Sequence, residues 1–293
     1  MAQITVSDDI LANIKDQVVL ITVQGGSSGI GRATAQLCLD LGARVVVGDL
    51  NPPNPEFKDT EKVHYLEVDV TSWEIQRNMF DQADKLFGGI DHVFANAGVG
   101  PTTDFLDINL NEAGELQPPN LRTINASLIS PLYTINLAQA YMKQLASRRP
   151  VRTGSIVLTA SASSFQNFSA PDYTIAKHGV LGMVRGLVHK LEIECNIRLN
   201  AVAPSWTQTG MVPADYIRAM GVPVQSPEVV AQSVVLLFAD EARHGEVIYS
   251  SEGKFQEINK ADGGLLSMAR KLLFNDDNLE GVMRSMNARA AQS

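Results

Sequence analysis

A glycine-rich turn between an apolar run and a helical stretch is the feature that most restricts the fold. Residues 18–23 read Val-Val-Leu-Ile-Thr-Val, residues 24–31 read Gln-Gly-Gly-Ser-Ser-Gly-Ile-Gly, and a helical pattern follows over 32–41. This order predicts a buried strand, a tight turn and a helix whose N-terminal N–H groups can bind a phosphate. The spacing Gly-x-x-x-Gly-x-Gly matches the general dinucleotide fingerprint only in part. An ordinary strand-to-helix turn is the open alternative.

An aspartate at the end of the next apolar run indicates which cofactor such a turn would bind. Residues 43–48 predict a second strand, and Asp49 follows it, about twenty residues after the turn, where a dinucleotide site binds the adenosine ribose. Its carboxylate would repel a 2′-phosphate, and Leu50, Asn51 and the serines of the turn carry no compensating cation. The pattern favours NAD over NADP. A solvated turn residue is the open alternative for Asp49.

A tyrosine and a lysine four positions apart supply the candidate chemistry. Tyr173 and Lys177 would share one face of a helix, where an ammonium group favours the phenolate and lowers the pKa of the tyrosine. A tyrosine with a lowered pKa can act as a general acid or base near neutral pH. The same spacing also occurs by chance, and a half-buried tyrosine beside a solvated lysine is then the ordinary outcome.

Residues upstream support the catalytic interpretation. Ser161 follows the apolar run 154–159, which predicts a buried strand, so its hydroxyl would lie at a strand tip. Ser163 and Ser164 are nearby alternatives for this position. Ser169 would cap the following helix, and that cap would fix the direction of the tyrosine.

The order of the predicted elements indicates one domain. Strands and helices alternate from residue 18 to 250 without a linker-like change in composition. The expected fold class is α/β, a single-domain, Rossmann-type, doubly wound parallel sheet with helices on both faces. We expect a core at about 18–259, an N-terminal extension at 1–17 and a C-terminal extension at 260–293.

Together these motifs resemble the short-chain dehydrogenases/reductases over about residues 18–259. The order and spacing of the following motifs carry the resemblance: Gly25, Gly29 and Gly31; Asp69-Val70-Thr71; Asn96-Ala97-Gly98; Asn125; Ser161; Tyr173 and Lys177; and residues 200–204. Three short segments, Ala-Asn-Ala-Gly, Lys-His-Gly-Val and Gly-Glu-Val-Ile-Tyr, look like fungal secondary-metabolism members and the NAD-dependent hydroxyprostaglandin-type enzymes. Gln24 and Ser205 depart from the family, which usually has threonine and glycine there.

The resemblance implies a catalytic set of Asn125, Ser161, Tyr173 and Lys177. Tyr173 would be the general acid/base, and Ser161 would hydrogen-bond the substrate oxygen. Lys177 would lower the pKa of the tyrosine and bind the nicotinamide ribose, while Asn125 would hold a water that links the lysine to solvent. The implied NAD site consists of Gly25, Ser27, Ser28, Gly29, Ile30, Gly31, Asp49, Leu50, Asp69, Val70, Asn96, Ala97, Gly98, Tyr173, Lys177, Pro204, Thr207 and Thr209. For Asn96, a structural role in tying neighbouring strands together is equally open.

Composition narrows the possible partners. Lys and Arg total 24 against 32 Asp and Glu, and the sequence has no basic cluster, so we expect no nucleic-acid partner. Cys38 and Cys195 form no disulfide or metal pattern, which suits a reducing compartment. The start is not signal-like and no apolar run reaches transmembrane length, so we expect a cytoplasmic enzyme without membrane contact. The resemblance also implies a homodimer or homotetramer.

The expected function is hydride transfer between NAD(H) and a secondary alcohol or ketone. The segment after Pro204 contains Trp206, Met211, Tyr216 and Met220, a composition typical of a lid over an apolar or aromatic small molecule. A surface-packing helix is the alternative for this segment. Two other functions stay open: a cofactor-bound template for cyclisation or isomerisation, and an NAD-binding regulator without turnover.

Overall fold

One nine-stranded sheet organises the described part of the chain. The structure is a computed structural model that describes residues 2–23, 29–51, 61–148, 154–272, 281–282 and 285–286. The strands are β1 (Ala2–Ile4), β2 (Val18–Thr22), β3 (Arg44–Asp49), β4 (Val63–Glu67), β5 (His92–Ala95), β6 (Gly154–Thr159), β7 (Ile197–Pro204), β8 (Val247–Ser251) and β9 (Lys254–Glu257). Their order is β1-β9-β8-β7-β6-β5-β2-β3-β4, with β2 to β8 parallel and β9 and β1 antiparallel.

Helices cover both faces of this sheet. They are α1 (Asp8–Leu11), α2 (Gly29–Asp40), α3 (Trp73–Phe87), α4 (Arg122–Ile124), α5 (Ser130–Arg148), α6 (Pro171–Cys195), α7 (Ala214–Ala219), α8 (Pro227–Ala239) and α9 (Leu265–Leu272). Alternate strand residues enter two cores, since Leu20 packs with α3, α5 and α6 while Val19 and Ile21 pack with α2 and α8. Burial on both faces explains why the strands are continuous apolar runs. The predicted doubly wound α/β fold is confirmed.

The N-terminal segment contributes to the sheet. Residues 2–4, which the sequence placed in an extension, form β1 and pair antiparallel with β9. Helix α1 follows and packs against α8. Within the described ranges, no helix is long and apolar enough to cross a membrane, and no cluster of three or more His, Cys, Asp or Glu side chains could hold a metal ion.

A π-helical turn separates helices α4 and α5. This turn spans Asn125–Ile129, between α4 and α5, and Ser130 donates its backbone N–H to the carbonyl of Asn125. Pro131 has no N–H to donate to the carbonyl of Ser127 four residues earlier. The irregular turn therefore lies where the proline breaks the regular hydrogen-bond pattern.

Candidate active site

Hydrogen bonds join the carboxyl ends of β2, β5 and β6. Asn96 follows β5, and its backbone N–H donates to Thr22 Oγ1 at 3.2 Å, as does that of Ala97 at 3.3 Å. The hydroxyl of Thr159 donates to Asn96 Oδ1 at 3.1 Å. Asn96 thus fastens three strand ends, which is the structural role that the sequence left open. The edge at which parallel strands end is where doubly wound sheets bind ligands.

Ser161, Tyr173 and Lys177 meet at this edge. Ser161 follows β6, and its side chain is close enough to the Tyr173 phenol to lower the pKa of that phenol. Lys177 lies one turn further along α6 and is 4% exposed. Its Nζ lies 5.6 Å from the centre of the Tyr173 ring and donates a 2.7 Å hydrogen bond to the carbonyl of Thr159. A phenol, a hydroxyl and an amine therefore share one small, largely buried region.

The two alternative serines have other surroundings. Ser164 Oγ accepts a hydrogen bond from the backbone N–H of Ser161 at 3.1 Å, and Ser163 donates its own N–H to Ser161 Oγ at 3.2 Å. The Ser163 hydroxyl is buried and has no hydrogen-bond partner among the described residues. Of the three serines, Ser161 is the one whose side chain affects the pKa of the phenol.

Burial dominates the ionisation of these groups. It raises the pKa of the Tyr173 phenol, and the hydrogen bond with Ser161 offsets part of that rise. It lowers the pKa of the Lys177 amine to about 8. The expectation that the lysine lowers the pKa of the tyrosine is therefore wrong for the chain alone. The reason is that removal from water penalises the charged form of each group.

Asn125 lies at the beginning of the π-helical turn and is exposed. Ser127, two residues later, shares a neighbour with the lysine: a Cβ at Gly98 would lie 3.0 Å from Ser127 Oγ and 3.7 Å from Lys177 Nζ. Ser127 is buried and also accepts a hydrogen bond from the backbone N–H of Val99 at 3.1 Å. The sequence analysis missed this serine, because only its position beside the irregular turn distinguishes it.

Helix α6 begins differently from the prediction. Its N-cap is Ala170, with no side-chain cap, and Pro171 occupies the first turn, so Ser169 does not cap the helix. The buried carboxylate of Asp172 instead accepts the N–H of Tyr173 at 2.7 Å. Proline at the first helical position makes the residue before it the cap, which places Ser169 outside the helix.

The described part of the expected phosphate cradle is residues 29–31, at the N-terminus of α2. Gly25, Ser27 and Ser28 lie outside the described residues. Gly29 has φ +62°, and a Cβ there would lie 2.9 Å from Thr209 Cγ2. A Cβ at Gly31 would lie 2.6 Å from Val23 Cγ2 and 2.8 Å from Asn96 Nδ2. Glycine is therefore needed at the first position for backbone conformation and at the second for close helix-to-strand packing. Ile30 lies between them, half-buried.

Asp49 ends β3 and is buried at the same edge of the sheet. Its Oδ1 accepts hydrogen bonds from the backbone N–H of Asn51 at 3.0 Å and from Asn51 Nδ2 at 3.3 Å. Leu50 beside it is exposed, and Val70 after β4 is buried. Asp69 closes its own turn by accepting from the N–H and hydroxyl of Thr71 at 2.9 and 2.7 Å.

The residues after β7 divide into two groups. Pro204, at the end of β7, is buried, and so is Thr207. Thr207 Oγ1 donates to the carbonyl of Ser205 at 2.9 Å and accepts from Gln225 at 3.2 Å, so its hydroxyl braces the base of the loop. The side chain of Thr209 instead reaches the glycine turn at Gly29. Among the predicted contacts from this loop, Thr209 is therefore the one that the structure places beside the cradle.

Comparison with known proteins agrees with this geometry. The family model described as short chain dehydrogenase matches residues 17–217. The chain is 41% identical to the short-chain dehydrogenase/reductase ascJ of Acremonium egyptiacum, over 98% of this chain and 97% of that protein. It is 33% identical to the short-chain dehydrogenase/reductase prx4 of Penicillium rubens, over 90% and 77%. The crystal structure of levodione reductase superposes with a TM-score of 0.66 at 23% identity, covering 82% of this chain and 98% of that one, which shows a shared fold.

The resemblance inferred from the motifs is thereby confirmed. The glycine turn, the strand-end network and the Ser161–Tyr173–Lys177 group all lie within the matched region. This chain belongs to the short-chain dehydrogenase/reductase family of oxidoreductases.

Proposed function

We propose that this protein transfers a hydride between NAD(H) and a secondary alcohol or ketone, with Tyr173 as the general acid/base. The observation that carries the proposal is the convergence of three side chains: Lys177 Nζ lies 5.6 Å from the centre of the Tyr173 ring, and Ser161 is close enough to lower the pKa of the phenol. These groups lie at the carboxyl edge of the sheet, beside the glycine turn. That placement would put a proton donor and acceptor next to a cofactor bound at the topological switch point.

The residues present fit a nicotinamide dinucleotide. Gly29 and Gly31 form a cradle in which a Cβ would collide, at the N-terminus of α2, where a pyrophosphate would be favoured. Asp49 would accept hydrogen bonds from the adenosine ribose, and Thr209 would contact the cofactor beside the turn. When bound, the nicotinamide supplies the acceptor or donor of the hydride, so the chain itself contributes binding, orientation and proton transfer.

The choice of NAD rests on Asp49. Its side chain is buried at the end of β3, where a dinucleotide ribose is expected. A 2′-phosphate at that point would meet the carboxylate and repel it. A 2′-hydroxyl would donate a hydrogen bond to it, so NAD is the cofactor proposed.

In the oxidative direction Tyr173 would take the proton of the substrate hydroxyl. The carbon that bears this hydroxyl would give up its hydride to the nicotinamide. The Ser161 hydroxyl would hold the substrate oxygen in position for this transfer. Because burial favours the neutral phenol, the positive charge of the oxidised cofactor would have to help to ionise it. Lys177 would bind the nicotinamide ribose and carry the proton onward, with Asn125 at the solvent-exposed end of that route.

An apolar substrate is proposed from the side chains that border this edge. Phe168 and Trp206 contact each other edge-on, with ring centroids 6.0 Å apart. Met211 packs against Gly100, since a Cβ there would lie 3.0 Å from Met211 Cγ. Tyr216 and Met220, on and beside α7, are exposed. These side chains would close over an apolar or aromatic ring rather than a charged molecule.

We also propose a homo-oligomer. Three aliphatic side chains on α5 and α6, Leu132, Ile175 and Ile193, are 40%, 50% and 61% exposed. Covering such side chains in a second copy would remove their apolar surface from water. Light scattering of the purified chain tests this, and a monomer at micromolar concentration would contradict it.

The proposed reaction is tested by a screen of aromatic, polyketide-like and steroid-like secondary alcohols with NAD, followed at the nicotinamide absorbance. Turnover that is lost in Tyr173→Phe supports the proposal. Binding of NAD without turnover of any of these alcohols or the matching ketones would favour a template or regulatory role.

A further inference from the structure

The residue before Tyr173 has a charged side chain that is fully buried. Asp172 is 0% exposed, although its carboxylate carries a charge that is costly to remove from water. Its Oδ2 accepts hydrogen bonds from the backbone N–H groups of Thr102 and Thr103, at 2.8 and 3.1 Å, and from Thr102 Oγ1 at 3.3 Å. Its Oδ1 accepts the N–H of Tyr173 at 2.7 Å. Both oxygens thus have donors, from two segments about 70 residues apart in the chain.

The segment held by this carboxylate, residues 99–103, follows β5 and is also fixed from its other side. Thr123 Oγ1 donates to the carbonyl of Gly100 at 3.0 Å and lies 2.8 Å from Thr102 Oγ1. The N–H of Val99 donates to Ser127 Oγ at 3.1 Å. The 99–103 segment is therefore clamped between the beginning of α6 and the helix that starts at α4.

Two parts of the proposed substrate side depend on this segment. Met211, from the loop after β7, packs on Gly100. Residues 104–121 begin directly after the clamp and present Leu106, Ile108 and Leu116, which are 87%, 76% and 75% exposed. The position of residues 99–103 therefore determines where the loop after β7 packs and where the apolar segment 104–121 begins.

We propose that Asp172 is a positioning residue: its carboxylate aligns the 99–103 segment with the first turn of α6. It thereby fixes the distance between Tyr173 and the side chains expected to contact the substrate, such as Met211. The proposal rests on the proposed function. In this role Asp172 does not contact the reacting atoms. It acts through the N–H of Tyr173 and through the segment that supports Met211.

The test compares Asp172→Asn with Asp104→Asn. The first change keeps the shape of the side chain but turns one acceptor oxygen into an amide donor that faces N–H groups. The second makes the same change on an exposed carboxylate nearby, whose one hydrogen bond within the described residues comes from the N–H of Leu106 at 3.0 Å. Thr102→Val with Thr123→Val is a milder pair that removes the hydroxyl contacts while the carboxylate remains.

In Asp172→Asn, hydrogen exchange at the amides of Thr102 and Thr103 should accelerate about tenfold or more, because these N–H groups lose their acceptor. With a secondary alcohol that the wild type oxidises, kcat/KM should fall by about tenfold or more through misplacement of the substrate. The Kd of NAD should change less than about twofold, since the cofactor cradle lies at α2. Asp104→Asn should leave all three quantities unchanged, and the threonine pair should give a smaller change in the same direction.

Faster exchange with an unchanged kcat/KM would overturn the positioning role, as would unchanged exchange. If Asp172→Asn does not fold, the threonine pair decides by the same readouts. A wild type that binds NAD but oxidises no alcohol refutes the proposed function instead, and the exchange comparison then decides the anchoring of 99–103 by itself.

Discussion

Lys177 Nζ lies 5.6 Å from the centre of the Tyr173 ring and is held there by a 2.7 Å hydrogen bond to the carbonyl of Thr159. The lysine is therefore fixed by the end of β6, the same strand that leads to Ser161. Removal from water shifts the pKa of each group toward its neutral form in the chain alone, upward for the phenol and downward for the amine. Binding of a charged cofactor is what would change that balance.

The free energy of unfolding should depend on pH because the pKa of the buried Lys177 is lowered. Below the folded pKa of about 8, Lys177 is protonated in both states and the folded chain bears the cost of a buried charge. Between that pH and the ordinary lysine value, the unfolded chain binds the extra proton, so stability rises with pH. Lys177→Met removes this dependence. Relative to Lys177→Met, the wild type should gain up to about 3 kcal/mol of unfolding free energy between roughly pH 7 and 10.

Denaturant unfolding of the cofactor-free chain at several pH values measures this difference. Lys190→Met is the matched control, because Lys190 lies on the same helix with its side chain 66% exposed. Parallel pH curves for the wild type and Lys177→Met would show that burial does not depress this pKa.

Gly29→Ala should weaken NAD binding more than backbone strain alone explains. Gly29 has φ +62°, and its new methyl group would press on Thr209 Cγ2 from 2.9 Å. Gly88→Ala is the matched control, since Gly88 has φ +76° with nothing within 4 Å of a Cβ. Both variants should lose about 1–2 kcal/mol of stability through the left-handed backbone.

Only Gly29→Ala should lower NAD affinity, by about tenfold or more, in a fluorescence titration. Equal affinities for the two variants would mean that the turn does not bind the pyrophosphate.

Single substitutions of Ser161 and Ser163 test which hydroxyl acts together with the Tyr173 phenol in catalysis. Ser161→Ala removes the hydroxyl that lowers the pKa of Tyr173 and should lower kcat by about 10²-fold or more. Ser163→Ala removes a buried hydroxyl that has no hydrogen-bond partner among the described residues, so turnover should stay near the wild-type rate. Steady-state kinetics on one secondary alcohol compare them, and a larger loss in Ser163→Ala would move the assignment.

Asp49→Asn should reduce the preference for NAD over NADP. The amide keeps an acceptor for Asn51 but loses the charge that repels a 2′-phosphate. The Kd of NADP divided by the Kd of NAD should fall by about tenfold. Asp40→Asn, a carboxylate bonded to Gln36 on α2, serves as control. An unchanged ratio in Asp49→Asn would show that another residue selects the cofactor.

The sequence predicted the elements that depend on local pattern. The apolar runs at 18–23 and 154–159 became β2 and β6, and Asp49 ends β3 as expected. The resemblance then implied roles for Ser161, which follows β6, and for Tyr173 on α6. Such features are readable because strand burial and helix spacing are properties of neighbouring residues.

Contacts between residues that are distant in the sequence could not be predicted from it. β1 pairs with β9 across about 250 residues, and Asp172 binds the N–H groups of Thr102 and Thr103. The pKa of Tyr173 in the cofactor-free chain moves opposite to the expected direction, because spacing shows that Lys177 is near but not that the phenol is removed from water. Burial depends on the whole fold, and here it is the largest cause of the shift.

Turnover by Tyr173→Phe is the decisive measurement for the role of Tyr173 as general acid/base. The phenylalanine ring keeps the packing but removes the hydroxyl that would exchange a proton with the substrate. On an alcohol that the wild type oxidises, kcat should fall by about 10²–10⁴-fold while the Kd of NAD changes less than about threefold. A Tyr173→Phe variant that binds NAD normally and keeps more than about a tenth of the wild-type kcat would contradict the account.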